Sequence, residues 1–265
     1  MKVWRWMYVG ALVLALVVGL GLWNPLSHVN ARNSEVPQYI VDAFWPKPLP
    51  NDPATGKPWV TGEVAGTCVD SRDHIFTVNR GYQNGLVAPE TVIAVPSPPV
   101  VEYDRHGNVV NAWGNPEILP NTIHGCFVDY QDNVWVAGNG DGIVQKYTRD
   151  GTLLLQIGTK GMCDSPTGAC GAPGSNSSTT LLNQPADIAV DPTNGDIYIA
   201  DGYGNHRVVV FDKMGNFLRQ WGSAGTGPGS SGLAAVAIRI VSFLAKTDSC
   251  TPAIVARTGS RCLIR

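Results

Sequence analysis

The sequence contains few charged residues and has no surplus of either sign. Only 15% of its 265 residues are charged, and 19 basic side chains against 21 acidic ones give a formal net charge of −2. Proteins that bind nucleic acid usually carry a basic surplus on one face, so this balance argues against that class. Disorder is excluded as well, because 44% of the residues are hydrophobic.

Glycine and proline, in contrast, are abundant. They supply 30 and 19 of the 265 residues, which is about 18% of the chain against about 12% in average proteins. Such a composition is rich in turns and favours many short strands over long helices. The length allows one large domain or two small ones.

The N-terminus has the pattern of a targeting segment. Lys2 and Arg5 form a short basic region, residues 6–23 carry no charge, and residues 29–31 (VNA) are small enough for a cleavage site. Residues 1–31 are therefore predicted to form a hydrophobic helix that is either a secretory signal or an uncleaved signal anchor. We expect export, with the protein secreted or held at the membrane through residues 6–23.

Export makes disulfides permissible. Cys163 and Cys170 flank a loop of six residues that contains proline and glycine, which predicts a local disulfide. The absence of a nearby histidine and of CxxC spacing argues against a metal site there. Cys68 and Cys126 lie in predicted strands, where we expect buried thiols.

Three segments of the chain resemble one another. They are residues 66–81 continued by 100–114, residues 124–158 and residues 185–222. Each begins with an apolar strand that ends in Asp, continues through two further strands separated by polar turns, and closes with a fourth strand followed by Gly. The repeated residues are Asp70, Asp129 and Asp191, and Gly114, Gly158 and Gly222.

Four antiparallel strands in about 40 residues are typical of one blade of a β-propeller. A plain β-sandwich does not repeat a four-strand unit in register. The sequence therefore predicts an all-β propeller over residues 64–229, preceded by a Pro-rich linker or ring-closing strand at 32–63. Two inserts, 82–99 and 159–183, are expected to rim one face of the disc, where ligands bind.

The repeat stops after Gly229, with about three to four blades, whereas closed propellers have about four to eight. Residues 230–265 form a divergent tail. Two interpretations remain open: a helix over 233–245 that caps an incomplete disc, or loss of the reading frame near Ser230. In either case open blade edges predict aggregation, unless a protein partner covers them.

The motifs IHGCFVDYQDNVWVAG (123–138) and NQPADIAVDPTNGDIYIADGYGNHRVVVF (183–211), with HIFTVNRG (74–81) and FLRQWG (217–222), resemble NHL-repeat propellers. More narrowly, they are similar to the peptidyl-α-hydroxyglycine α-amidating lyase family. The resemblance covers residues 62–229. It implies a six-bladed propeller with a central zinc, and a peptide or small amide precursor ending in α-hydroxyglycine as the substrate. The reaction of that family yields the amide and glyoxylate.

The resemblance also implies roles for particular residues. His124 matches the first of three zinc-ligating histidines. Tyr203 matches the catalytic tyrosine, and Arg80 matches an active-site arginine that holds the substrate carboxylate. A structural calcium ion is expected to take backbone carbonyls, by position those of Thr67 and Cys126.

The zinc site departs from the family pattern. None of the other histidines occupies an inner-strand position; they are His28, His74, His106 and His206. A catalytic zinc normally has three protein ligands, so we expect the chain as written to be a lyase-like protein without activity. The alternative is a non-catalytic NHL propeller that binds a protein, peptide or glycan. A calcium-dependent lactonase fits less well, since the inner strands carry few acids besides Asp187.

Overall fold

The computed structural model describes residues 41–85 and 90–224. The predicted leader at 1–31 and the tail at 230–265 lie outside these residues. The fold is all-β, and its main sheets lie in a compact unit that begins at Phe44. Within the described ranges no helix is long and apolar enough to cross a membrane.

Three four-stranded antiparallel sheets follow one another along the chain. The first contains β2 (Val64–Val69), β3 (Ile75–Asn79), β5 (Val100–Tyr103) and β6 (Val109–Trp113). The second contains β7 (Ile123–Val128), β8 (Val134–Gly138), β9 (Ile143–Tyr147) and β10 (Leu153–Ile157). The third contains β11 (Pro185–Val190), β12 (Ile197–Asp201), β13 (Arg207–Phe211) and β14 (Phe217–Trp221). In each sheet the strands pair in chain order, as the repeat predicted.

The repeated aspartates explain why the first two strands of each sheet form a hairpin. The carboxylate of Asp129 accepts the backbone N–H groups of Gln131 and Asn133, both within 3.0 Å. Asp70 does the same for Arg72 and His74. An acidic side chain that binds its own turn in this way fixes the reversal of the chain, and it does so at the same place in each repeat.

The segment before the first sheet pairs with the first insert. The insert contains α1 (Gly81–Asn84), α2 (Glu90–Ile93) and β4 (Val95–Pro96). Strand β4 runs parallel to β1 (Trp59–Val60), with Trp59 opposite Val95. The described end of the Pro-rich segment is thereby held against this insert.

Apolar side chains fill the spaces between neighbouring sheets. Phe76 and Val100 of the first sheet belong to the same buried cluster as Val136 of the second. Trp135 of the second sheet shares another cluster with Ile188 and other residues of the third. The sheets therefore pack face to face, as propeller blades do.

Two disulfides are present among the described residues. Cys163 and Cys170 are bonded, which confirms the predicted local bridge. The prediction of separate thiols at Cys68 and Cys126 was wrong, because these two residues form a second disulfide. Strands β2 and β7 are adjacent inner strands of different sheets, and their packing brings the two Cα atoms to 5.5 Å across 58 residues of sequence.

Candidate active site

The three predicted active-site side chains lie at one end of the sheets. His124 is the second residue of β7, Arg80 follows β3 and Tyr203 follows β12. Val64 of β2 pairs with Asn79, and Pro185 of β11 pairs with Asp201, so Arg80 and Tyr203 lie beside the starts of inner strands. The structure thus brings together residues from three separate sheets.

His124 is held in one orientation by two hydrogen bonds. Its Nδ1 lies 2.9 Å from the carbonyl oxygen of Ala186, and its Nε2 lies 2.9 Å from the hydroxyl of Tyr203. A carbonyl only accepts, so Nδ1 of the neutral ring carries the proton and Nε2 presents its lone pair to Tyr203. The two rings meet edge to face, with their centroids 5.2 Å apart.

Gly125 permits this arrangement. A Cβ atom at this position would lie 2.6 Å from the carbonyl oxygen of Ala186 and 2.9 Å from the Cα of Asp187. Any side chain would therefore push β7 away from β11, which carries the hydrogen-bond acceptor of His124. The glycine beside His124 is required by the close approach of two blades.

The loop that carries Tyr203 is fixed by a buried polar network. The Arg207 guanidinium lies 2.9 Å from the carboxylate of Asp201 and 3.3 Å from that of Asp164. Asn205 also donates to both carboxylates. Burial raises the pKa of Asp201 to about 6, although the nearby charge of Arg207 opposes this shift.

Asp164 connects this network to the second insert. It directly follows Cys163, and its carboxylate accepts the backbone N–H groups of Ser177 and Ser178 at 3.0 and 3.1 Å. The disulfide loop is therefore tied to the Tyr203 loop through one buried acid. Sequence reasoning missed this role, since nothing in the local pattern pairs an acid of the insert with Arg207.

Arg80 is anchored next to His124. Its Nε donates to the carbonyl oxygen of Ile123 at 2.7 Å, and its Nη1 donates to the carboxylate of Glu63 at 2.8 Å. The Arg80 side chain is 14% exposed, whereas that of Glu63 is 58% exposed. Glu63 was not among the predicted site residues.

The predicted calcium ligands lie on neighbouring inner strands. Thr67 is on β2 and Cys126 is on β7, where its side chain forms the disulfide with Cys68. The calcium site itself stays a prediction.

The described residues do not supply a three-ligand zinc site around His124. Among them, the one group of three residues with metal-ligand spacing is Asp70, His74 and Glu102, whose ligand atoms lie within 4.8 Å of one another. His124 is not part of it. These residues therefore do not, by themselves, fit the zinc that the family resemblance implies.

A positively charged side chain from the neighbouring sheet already lies among these three residues. The guanidinium of Arg149, in the turn between β9 and β10, forms ion pairs with both Asp70 and Glu102. His74 Nδ1 lies 2.6 Å from the Glu102 carboxylate. The cluster thus joins the first two sheets electrostatically, a role that the sequence did not predict for any of its members.

Three successive four-stranded sheets with side-by-side inner strands define a propeller-type protein. The family model for the NHL repeat matches residues 182–211, which include β11, β12 and β13. The predicted third blade thus matches the NHL repeat.

The chain is also similar to peptide-amidating proteins over about 60% of its length. It is 28% identical over 186 residues to the peptidylglycine alpha-amidating monooxygenase of Rattus norvegicus, covering 63% of this chain and 17% of the relative. It is 30% identical over 155 residues to the peptidyl-alpha-hydroxyglycine alpha-amidating lyase 1 of Drosophila melanogaster, covering 56% and 24%. The chain therefore spans less than a quarter of the length of either relative.

Solved structures show a more distant likeness. Virginiamycin B lyase from Staphylococcus aureus has 15% identity and a TM-score of 0.39, with 63% of this chain and 42% of that chain covered. The gluconolactonase XC5397 from Xanthomonas campestris has 17% identity and a TM-score of 0.37, with 62% and 48% covered.

Proposed function

We propose that this protein binds peptides or small amides ending in α-hydroxyglycine and that its site is built to cleave their C–N bond. The observation that carries the proposal is the 2.9 Å hydrogen bond between His124 Nε2 and the Tyr203 hydroxyl. A base oriented by a third group and bonded to an acidic hydroxyl is a common arrangement for proton transfer. The similarity to hydroxyglycine amidating lyases supports the choice of substrate.

The reaction needs one proton to move. The Tyr203 oxygen takes the proton of the substrate hydroxyl as its own proton passes to His124 Nε2. The carbonyl of glyoxylate then forms, the C–N bond breaks, and the leaving amide nitrogen takes a proton back from the same pair. Arg80, fixed by the Ile123 carbonyl at 2.7 Å, holds the substrate carboxylate that becomes part of glyoxylate.

Zinc dependence is part of the family expectation, but no group of three metal-ligating residues among the described ones includes His124. We therefore propose that the 265-residue chain does not hold zinc tightly and releases little or no glyoxylate by itself. Elemental analysis of the purified chain should find less than one zinc per molecule. One tightly held zinc that is lost in His124→Ala would contradict this ligand count.

Export is also proposed. The leader-like N-terminus supports it, and so do two disulfides, because such bonds persist mainly in oxidising compartments.

A second candidate is a non-catalytic platform for peptides, proteins or glycans. Two contacts favour it: His124 bonds to Tyr203, and Arg80 bonds to Glu63, so each of these side chains already has a partner within the protein. In that case binding would not depend on the C-terminal chemistry of the ligand.

Binding measurements separate the two candidates. Calorimetry with a peptide ending in glycine and with its C-terminal amide should show tighter binding of the carboxylate form than of the amide, and loss of this difference in Arg80→Gln. Equal binding of both peptides would favour the platform.

The chemistry is tested by glyoxylate release from an α-hydroxyglycine peptide in a chimera where residues 62–222 replace the matched segment of the Drosophila lyase.

A further inference from the structure

Arg80, which is proposed to hold the carboxylate of the substrate, already has a carboxylate bound to it. Glu63 Oε2 lies 2.8 Å from Nη1 of Arg80. Both residues flank the start of the first sheet, Glu63 immediately before β2 and Arg80 immediately after β3. The ion pair is therefore formed by the chain itself at the position where a ligand anion would bind.

The arginine is the fixed member of this pair. Its Nε donates to the Ile123 carbonyl, and its backbone N–H donates to the carbonyl oxygen of Glu63 at 2.9 Å. The backbones also approach closely, since a Cβ at Gly62 would lie 2.4 Å from the Cα of Gly81. The guanidinium thus has little freedom to move towards or away from a ligand.

The glutamate is the mobile member. Its side chain is 58% exposed, and its Arg80 bond is the one ion pair that it makes among the described residues. An ion pair with one exposed partner is weakened because water solvates that partner, here the Glu63 carboxylate. The Glu63 side chain can therefore move away from Arg80 into solvent at small cost. Nη1 of Arg80 is then free to bind another carboxylate.

We propose that Glu63 is an internal competitor that sets the affinity and charge selectivity of the carboxylate subsite at Arg80. The inference rests on the proposed function, since it concerns the same subsite. A ligand carboxylate that takes the N–H of Nη1 now bonded to Glu63 must replace Glu63, and one that binds the other N–H groups of the guanidinium lies beside the Glu63 carboxylate and is repelled by its charge. A neutral ligand end cannot compensate for the lost ion pair.

The exposure of Glu63 sets how far removing its charge should change the dissociation constant of a carboxylate ligand. Exposed ion pairs contribute up to about 1 kcal/mol, which corresponds to about a fivefold change in a dissociation constant. Removing the Glu63 charge should thus tighten carboxylate binding by about three- to fivefold. The difference should shrink in high salt, which screens exposed charges.

The test uses N-acetylglycine and its neutral amide as probes in calorimetry on the full 265-residue chain. Glu63→Gln should lower the dissociation constant of N-acetylglycine about three- to fivefold and leave that of the amide unchanged. Glu63→Ala should act in the same direction. Glu117→Gln is the matched control, because Glu117 is exposed and its carboxylate makes no ion pair with any described residue.

Four outcomes would overturn the inference: no change with Glu63→Gln, weaker binding, an equal change for the amide, or no detectable binding of N-acetylglycine to either form. Weaker binding would mean that Glu63 orients Arg80 instead of competing for it. The proposed function fails separately. If the chimera releases no glyoxylate while Glu63→Gln still tightens carboxylate binding, the subsite is real and the lyase assignment is wrong.

Discussion

The hydroxyl of Tyr203 lies 2.9 Å from Nε2 of His124, although 79 residues separate them in the chain. Because Nδ1 of the same ring bonds to the Ala186 carbonyl, the lone pair of Nε2 points at the phenol. The third sheet therefore contributes both the Tyr203 hydroxyl and the Ala186 carbonyl, which orients the His124 ring towards that hydroxyl.

Replacing Tyr203 by Phe removes the hydroxyl and keeps the ring. In the chimera we expect glyoxylate release to fall by about 10²–10⁴-fold, the usual contribution of a positioned acid–base group. The melting temperature of the 265-residue chain should change little, because the side chain is 42% exposed.

Tyr130→Phe is the control for this experiment. Tyr130 is also exposed, at 54%, and lies on the turn after β7. Its replacement should leave the rate unchanged. A Tyr203→Phe chimera as fast as the Tyr130→Phe chimera would remove Tyr203 from the reaction.

Replacing Arg149 by Met should destabilise the fold strongly. The change leaves Asp70 and Glu102 without their shared cation, and both carboxylates are buried. We expect a loss of about 3–5 kcal/mol in the free energy of unfolding, as when one partner of a buried pair is removed. Urea denaturation measures it, with exposed Arg105→Met expected to cost little. Equal costs would show that the cluster does not join the sheets.

The pKa of Asp201 predicts a pH dependence of stability. Burial raises this pKa to about 6, whereas an unfolded Asp titrates near 4. Between about pH 4 and pH 6 the folded protein keeps a proton that the unfolded chain has released. The stability contributed by this carboxyl therefore falls as the pH rises through that window, and it stays constant above it.

Unfolding free energies from pH 4 to pH 7 test this sign. The advantage of the wild type over Asp201→Asn should decrease as the pH rises. Asp212→Asn is the control: the pKa of the exposed Asp212 is lowered by its hydrogen bond with Asn216, so its contribution is lost only as the pH falls below about 4. An advantage of the wild type that grows with pH would show that Asp201 is ionised throughout.

The two disulfides should differ in their contribution to stability. Cys68 and Cys126 close a loop of 58 residues, and Cys163 and Cys170 close one of 7. Loop-closure entropy predicts a cost of about 4 kcal/mol for removing the first bridge and about 2 kcal/mol for the second. Paired Ala variants in guanidinium denaturation measure both. A larger cost for the 163–170 pair would mean that its tie to Asp164 outweighs loop entropy.

The sequence by itself determined the features that depend on short stretches of chain. Strand alternation, the turn-binding aspartates such as Asp129 and the local bridge between Cys163 and Cys170 all follow from residues close in sequence. The family motifs also selected His124, Tyr203 and Arg80, although their roles stay predictions.

Only the tertiary structure decided which distant residues meet. Cys126 was expected to be a free thiol, yet the packing of β7 beside β2 places it against Cys68. Arg149 reaches Glu102, and Glu63 covers Arg80, for the same reason. These contacts depend on how whole sheets pack side by side, and a pattern of neighbouring residues contains no signal for the register between sheets.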